Sequence, residues 1–214
     1  MRPRTAPSLF GIVLYPGVEP IDLGATFGVL SMASRILPGV AATTLATRPG
    51  ALTLAGGLRV HADHALHGAP ALDVAIVTGG PGWPQAAADE AMLAFLRRRP
   101  APIVASVCTG ALVLQAAGLI DGPATTRRTP LGAEPHAPLA RLGPCGTAAL
   151  VVDNGAVVTG GGVSLAADTT LHLLARLYGA DAADEVARAI EYDRAWAANR
   201  AALPTLTPAK ATAA

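Results

Sequence analysis

Cys108 stands in the stretch Ala105-Ser106-Val107-Cys108-Thr109-Gly110-Ala111, where a buried, strand-like run passes into a helix-like run with no loop between them. A residue at such a corner is forced into a strained turn and projects from the carboxyl edge of a sheet. This is the logic of a nucleophile elbow, with Cys in the nucleophile's place. Gly110 lets the helix pass close over the strand. A thiol at a helix N-terminus faces the positive end of the dipole and free N–H groups, so the placement predicts a lowered thiol pKa. The plainer alternative is a buried structural cysteine, a common fate of free Cys.

Asp22 is the second candidate. It closes Val18-Glu19-Pro20-Ile21-Asp22, just after the first strand-like run. In a parallel sheet it would share the carboxyl edge with Cys108, where such folds bind ligands. A carboxyl beside a thiolate is raised in pKa and can hold a proton to donate. As an isolated residue it reads first as a helix N-cap. Gly79-Gly80-Pro81-Gly82 follows another strand and can aim Gly79 and Gly80 amides, together with Thr109, at a developing anion. A tight turn is the alternative there. The glycines do not form a phosphate loop, since no Gly-Lys-Ser/Thr follows. Gly160-Gly161-Gly162 is open between an anion site and close packing. Thr109 follows the cysteine, so no His stands next to it. His61, His64 and His67 are spaced by three, which alternates faces in a strand and suits no metal. Cys145, between Pro144 and Gly146, reads as structural.

The elements that must position these groups alternate between strand and helix signals, which argues for a parallel sheet covered on both faces. Residues 9–15, 73–78 and 102–107 are continuous apolar runs of the kind that form buried parallel strands. Residues 41–66 read as short strands broken at Pro49-Gly50 and Gly56-Gly57. Helices are expected over 23–36, 89–99, 109–117, 163–178 and 181–192, with Gly118 closing the third. Residues 124–126 can form a strand, and 130–144, with four prolines, allow only short helices. Asn154-Gly155 between 148–152 and 156–159 signals a hairpin. Residues 1–7 and 203–214 are expected to be disordered tails flanking one domain over 8–193.

The 214 residues carry 16 Lys+Arg against 15 Asp+Glu, a formal charge of +1. That balance gives no field for nucleic acid or an anionic membrane. Hydrophobic residues make up 51% of the chain. A well-buried core is therefore expected. The early apolar run is too short to span a bilayer, and the charge-free stretch 103–120 is interrupted by polar and glycine residues. A soluble, cytoplasmic protein is expected, and two distant cysteines need not pair.

Taken together, Phe10-Gly11-Ile12-Val13-Leu14-Tyr15-Pro16-Gly17-Val18, Ile21-Asp22-Leu23, Thr78-Gly79-Gly80-Pro81-Gly82, Ser106-Val107-Cys108-Thr109-Gly110-Ala111 and Thr159-Gly160-Gly161-Gly162-Val163 resemble the ThiJ/PfpI superfamily, the class I glutamine amidotransferase-like fold. Within it, Asp22 as acid partner, Thr109 after the nucleophile and Glu191-Tyr192-Asp193 are similar to the isocyanide hydratase branch. The resemblance implies a flavodoxin-like doubly wound α/β fold, a homodimer, a small-molecule substrate, and no metal or organic cofactor. It implies Cys108 as nucleophile and Asp22 as its acid partner in hydrating an isocyanide to an N-substituted formamide. One departure stands out. Members of that branch carry His-Trp after Ala-Thr-Thr, whereas Ala124-Thr125-Thr126 here precedes Arg127-Arg128. Two other functions fit the same superfamily. One is a non-catalytic ligand- or redox-sensing domain like that of AraC-type regulators. Those carry a C-terminal helix-turn-helix region, where only a short stretch follows Tyr192 here. The other is dicarbonyl detoxification of the glyoxalase kind. Its members commonly use Glu as acid partner and some carry His after the cysteine, against Asp22 and Thr109.

Overall fold

The computed structural model describes residues 1–132 and 134–207. The expected apolar runs form β1 (Ser8–Val13), β6 (Val74–Val77) and β7 (Ile103–Ser106), and the first of the short strands expected over 41–66 forms β2 (Val40–Ala46); all four are parallel. Between β2 and β6 the Gly and Pro signals give a small antiparallel pair, β3 (Gly50–Thr53) with β4 (Arg59–Ala62), and a short edge strand β5 (His64–Ala65). The Asn154-Gly155 turn joins β8 (Val151–Asp153) to β9 (Val157–Gly160) antiparallel, as the hairpin signal predicts. Gly155 takes φ 81° there. With a terminal β10 (Thr205–Leu206), eight strands form one sheet in the order β10-β8-β9-β7-β6-β1-β2-β5.

The apolar residues of the central strands point to both faces, so each strand needs cover on both sides, and the chain supplies it with helices. Helices α1 (Pro20–Ala33), α6 (Ala166–Tyr178) and α7 (Ala180–Ala189) pack together, as do α2 (Trp83–Ala86), α3 (Glu90–Arg97) and α4 (Gly110–Ala116). Asp89 caps α3 by accepting from the Ala91 and Met92 amides at 2.9 and 3.3 Å. The cap fixes the register that buries Met92, Leu93, Phe95 and Leu96. The chain winds outward from β1 in two directions, to β2 on one side and to β6 and β7 on the other. The reversal leaves a crevice at the carboxyl ends of β1 and β6, the place where doubly wound sheets bind ligands.

Four expectations are corrected. Residues 124–126 make a single bridge, Ala124 to Gly146, and no strand, because their polar groups are used against neighbouring loops. The expected helix over 181–192 ends at Ala189, where Glu191 turns to φ 55°, and a further helix α8 (Asp193–Ala202) follows. Trp196 of α8 is buried with the main core, so packing continues past residue 193. The terminal segments are also engaged. Arg2 pairs with Asp73 at 2.7 Å, and its amide donates to the Leu177 carbonyl. At the other end β10 pairs with β8, because the edge of β8 leaves unpaired backbone groups that an extended tail can satisfy. The part of the tail expectation that concerns 208–214 lies outside the described residues. Short α5 (Pro138–Arg141) and a 3₁₀ turn at Gly143–Cys145 are what the prolines of 130–144 allow.

Candidate active site

The corner after β7 is as tight as its sequence demands. Cys108 has φ 50°. That is a left-handed conformation which L side chains rarely adopt. Its amide donates to the Gly161 carbonyl at 3.2 Å, and its carbonyl accepts from Thr126 Oγ1 at 2.5 Å. The surroundings thus hold the strained residue from both sides. The thiol is almost wholly buried.

Asp22 arrives from the other side of the crevice. Pro20 starts α1 earlier than the periodicity suggests, since its fixed φ suits the first helical position. Asp22 therefore lies inside the first turn rather than capping it, with Glu19 as the cap residue. Gly79 clamps this turn. Its amide donates to Asp22 Oδ2 at 3.0 Å, and its carbonyl accepts from the Glu19 amide at 2.8 Å. Gly79 also shows how close the two candidates are. A Cβ there would stand 2.6 Å from Cys108 Cβ and 2.7 Å from Asp22 Oδ2. Only glycine lets the two side chains meet. Asp22 Oδ1 is buried and takes no hydrogen bond, so it is the carboxyl oxygen left to hold a proton.

Burial dominates the ionisation of this pair. It raises the Asp22 carboxyl to about 7 against the hydrogen bonds that favour its charge. Burial, and then the negative charge of Asp22, push the Cys108 thiol up to about 12. The expected lowering of the thiol is corrected accordingly: the Thr109 amide does favour the thiolate, but desolvation outweighs it. The two groups titrate as one unit. With one proton removed, the remaining proton can sit on sulfur or on oxygen, and the form with a protonated acid carries a thiolate. Tyr15, two residues past the end of β1, lies near the same pair and donates to the Thr78 carbonyl at 2.8 Å. Burial, followed by the Asp22 and Cys108 charges, raises its phenol well above the usual range, so it stays neutral.

The expected anion donors divide. The Gly79 amide is used by Asp22, and the Gly80 amide donates to Thr109 Oγ1 at 2.8 Å. Both glycines therefore hold the machinery in place and are not free to face an anion. The Thr109 amide, directed at the sulfur, remains. Gly162 settles the open reading of the glycine run in favour of close packing: a Cβ there would stand 2.5 Å from the Cys108 sulfur. Among the described residues no group of three His, Cys, Asp or Glu clusters as metal ligands would. Cys145 is free and half-buried. A cavity of about 1010 Å³ opens beside the crevice, lined by Tyr15, Pro16, Gly17, Arg48, Gln85 and Asp89. It shares Tyr15 with the pair but does not contain Cys108 or Asp22.

Sequence reasoning left three residues without a role. Tyr15 was visible only as the end of a strand. Thr126 grips the elbow, and Arg127, marked only as a departure, is buried and binds Glu134 through both carboxylate oxygens at 2.8 and 2.7 Å.

The family profile described as the DJ-1/PfpI family matches residues 11–176. The chain is 35% identical over 184 residues to an isonitrile hydratase of Pseudomonas putida, covering 85% of this chain and 77% of that one. A ThiJ/PfpI family protein from Pseudomonas syringae is similar in structure, with 30% identity and a TM-score of 0.74 over 89% of this chain and 77% of the other. A DJ-1 superfamily protein from Salmonella typhimurium, solved as a Cys-to-Ala mutant, gives 27% identity and a TM-score of 0.72 over 86% and 98%. Drosophila melanogaster DJ-1beta, at 19% identity and a TM-score of 0.70 over 86% and 98%, shares the fold.

Proposed function

Because the chain belongs to the DJ-1/PfpI family, we propose that it is a cysteine-dependent hydro-lyase that adds water to an isocyanide to give an N-substituted formamide. The observation that carries the reading is the buried Cys108–Asp22 pair across Gly79. The 35% identity to an isonitrile hydratase supports the choice of reaction within the family.

The chemistry follows from one negative charge and one proton shared by two groups. The isocyanide carbon is electrophilic toward soft nucleophiles, and a thiolate is the softest the protein offers. Cys108 attacks that carbon while protonated Asp22 gives it a proton, forming a covalent thioimidate and leaving Asp22 as carboxylate. Water then adds. Its hydroxyl goes to the carbon, and its proton passes through Asp22 to the nitrogen. Asp22 finally takes the hydroxyl proton as the carbonyl forms and the C–S bond breaks. This releases the formamide and restores the thiolate beside a protonated acid. The Thr109 amide stabilises the sulfur whenever it carries charge. Burial of the site excludes the bulk water that would otherwise hydrate both charges.

The reaction is assigned to a homodimer in the cytoplasm. Two free cysteines suit a reducing compartment. Among the described residues no helix is long and apolar enough to cross a membrane. The outer face of α1 exposes Ile21 and Phe27 beside Gly24 and Gly28, around whose Cα atoms there is open space, a surface on which a second copy can pack closely.

The test is turnover by the purified protein of aromatic and aliphatic isocyanides, with methylglyoxal alongside, followed in the ultraviolet. Formamide from an isocyanide supports the reading. Consumption of methylglyoxal alone, or of neither class, overturns it.

A further inference from the structure

The segment 124–127 runs along the elbow and is pinned there. The Thr125 amide donates to Thr159 Oγ1 at 2.9 Å, Thr126 Oγ1 donates to the Cys108 carbonyl, and the Arg127 carbonyl accepts from the Leu139 amide at 3.1 Å. Arg128, next in the chain, is exposed, whereas Arg127 turns inward. Its guanidinium donates to the Thr129 carbonyl and to both oxygens of Glu134. The two ends of this ion pair differ in their contact with water: the Arg127 side chain is 6% exposed and that of Glu134 37%.

We propose that Arg127 is a positioning residue that acts through charge: its buried guanidinium, only partly neutralised by Glu134, favours the single negative charge shared by Cys108 and Asp22 and so sets the pH at which the pair acquires it. The inference rests on the reading of Cys108 and Asp22 as the reacting pair.

The physical reason is unequal screening. Water surrounds much of the Glu134 carboxylate and damps its field, while the guanidinium sits in protein of low dielectric and is damped far less. The inner side of the ion pair is therefore positive. Three charged or titratable neighbours act on the pair besides its own members. Tyr15 from the loop after β1 is neutral, Glu19 at the start of α1 disfavours the Asp22 charge, and Arg127 is the cation that favours the charge on both Asp22 and Cys108. On the outer side, Arg141 of α5 supports the charge of Glu134, which keeps that carboxylate ionised and bound to Arg127. An isocyanide carries no charge for a buried arginine to recognise, so the pair is the natural recipient of this field.

The experiment reads the thiolate directly. Ultraviolet thiolate absorbance is titrated against pH and taken as the difference from Cys108→Ala. Arg127→Gln is expected to move the Cys108 midpoint upward by about 0.5–1 pH unit, and Arg127→Lys to keep it near wild type. Glu134→Gln, which removes the neutralising partner, is expected to move it downward. A role confined to folding would lower the melting temperature of these variants with the midpoint unmoved, and that result overturns the inference. Where Arg127→Gln does not fold, Glu134→Gln decides: an unchanged or higher midpoint overturns it equally. A wild-type thiol that titrates as a lone buried cysteine, indifferent to Asp22→Asn, instead refutes the reacting pair itself.

Discussion

At the residue scale the central fact is that two acids share a pocket that disfavours charge on either. A thiol raised by burial would be a poor nucleophile on its own. In the proposed reaction its competence would come from Asp22, which can take the thiol proton without changing the charge of the pair. Cys108→Ala is therefore expected to abolish isocyanide turnover, and Asp22→Asn to cut kcat/KM by about 10²–10⁴-fold, both measured by formamide release. Retained activity in Cys108→Ala would remove the covalent mechanism altogether. The same pair fixes the pH response. Below the Asp22 value of about 7 both groups are protonated and the pair lacks its negative charge. The kcat/KM of wild type should thus rise with pH through about 7 and then level. A profile that falls over this range would mean that the fully protonated pair is the active form.

At the element scale, the site is a meeting of three turns whose glycines allow contact that side chains would block. Gly162, in the turn between β9 and α6, touches the sulfur most directly. Gly162→Ala should displace the elbow, since its Cβ would meet both the thiol and the Cys108 backbone, and lower kcat by at least roughly 10²-fold, a misplacement of about 1 Å being enough. Circular dichroism and turnover on the same sample would check it. The C-terminal helices are held differently. Asp168, buried in the first turn of α6, accepts from Tyr192 Oη at 2.9 Å and from Asn199 Nδ2 at 3.2 and 3.1 Å, which fastens the start and the middle of α8 to the core. Tyr192→Phe should cost about 1–2 kcal/mol in denaturant unfolding, because Asn199 still serves the carboxylate. No measurable loss would show that the Tyr192 hydroxyl contributes nothing to docking α8.

At the scale of the whole molecule, the exposed apolar face of α1 lies on the helix that carries Asp22. A partner copy seated there would shield the first turn of α1 from water. Light scattering should give twice the 21.4 kDa chain mass, and Ile21→Glu should halve it. A wild-type monomer at micromolar concentration would refute the proposed homodimer. The cavity beside Tyr15 opens at the same carboxyl edge as the pair, as the reversal of strand order requires.

Much of this was legible in the chain. Unbroken apolar runs identified β1, β6 and β7, since a strand covered on both faces has no polar side to show. Asn154-Gly155 announced its hairpin because few other residues tolerate that turn. Cys108 was marked by a strand running into a helix without a loop, and Asp22 by its place after the first strand. Residue types and short-range spacing settle these features, and the sequence contains both. What depended on distant segments was not legible. The thiol rises instead of falling because burial is set by the whole fold, not by the local helix end. Gly79 and Gly80 spend their amides on Asp22 and Thr109, partners many residues away. The extra helix α8 and the strand β10 form because a buried carboxylate and an open sheet edge await them. Arg127 turns inward and Arg128 outward, a difference that their identical side chains cannot encode and only the packing around the elbow decides.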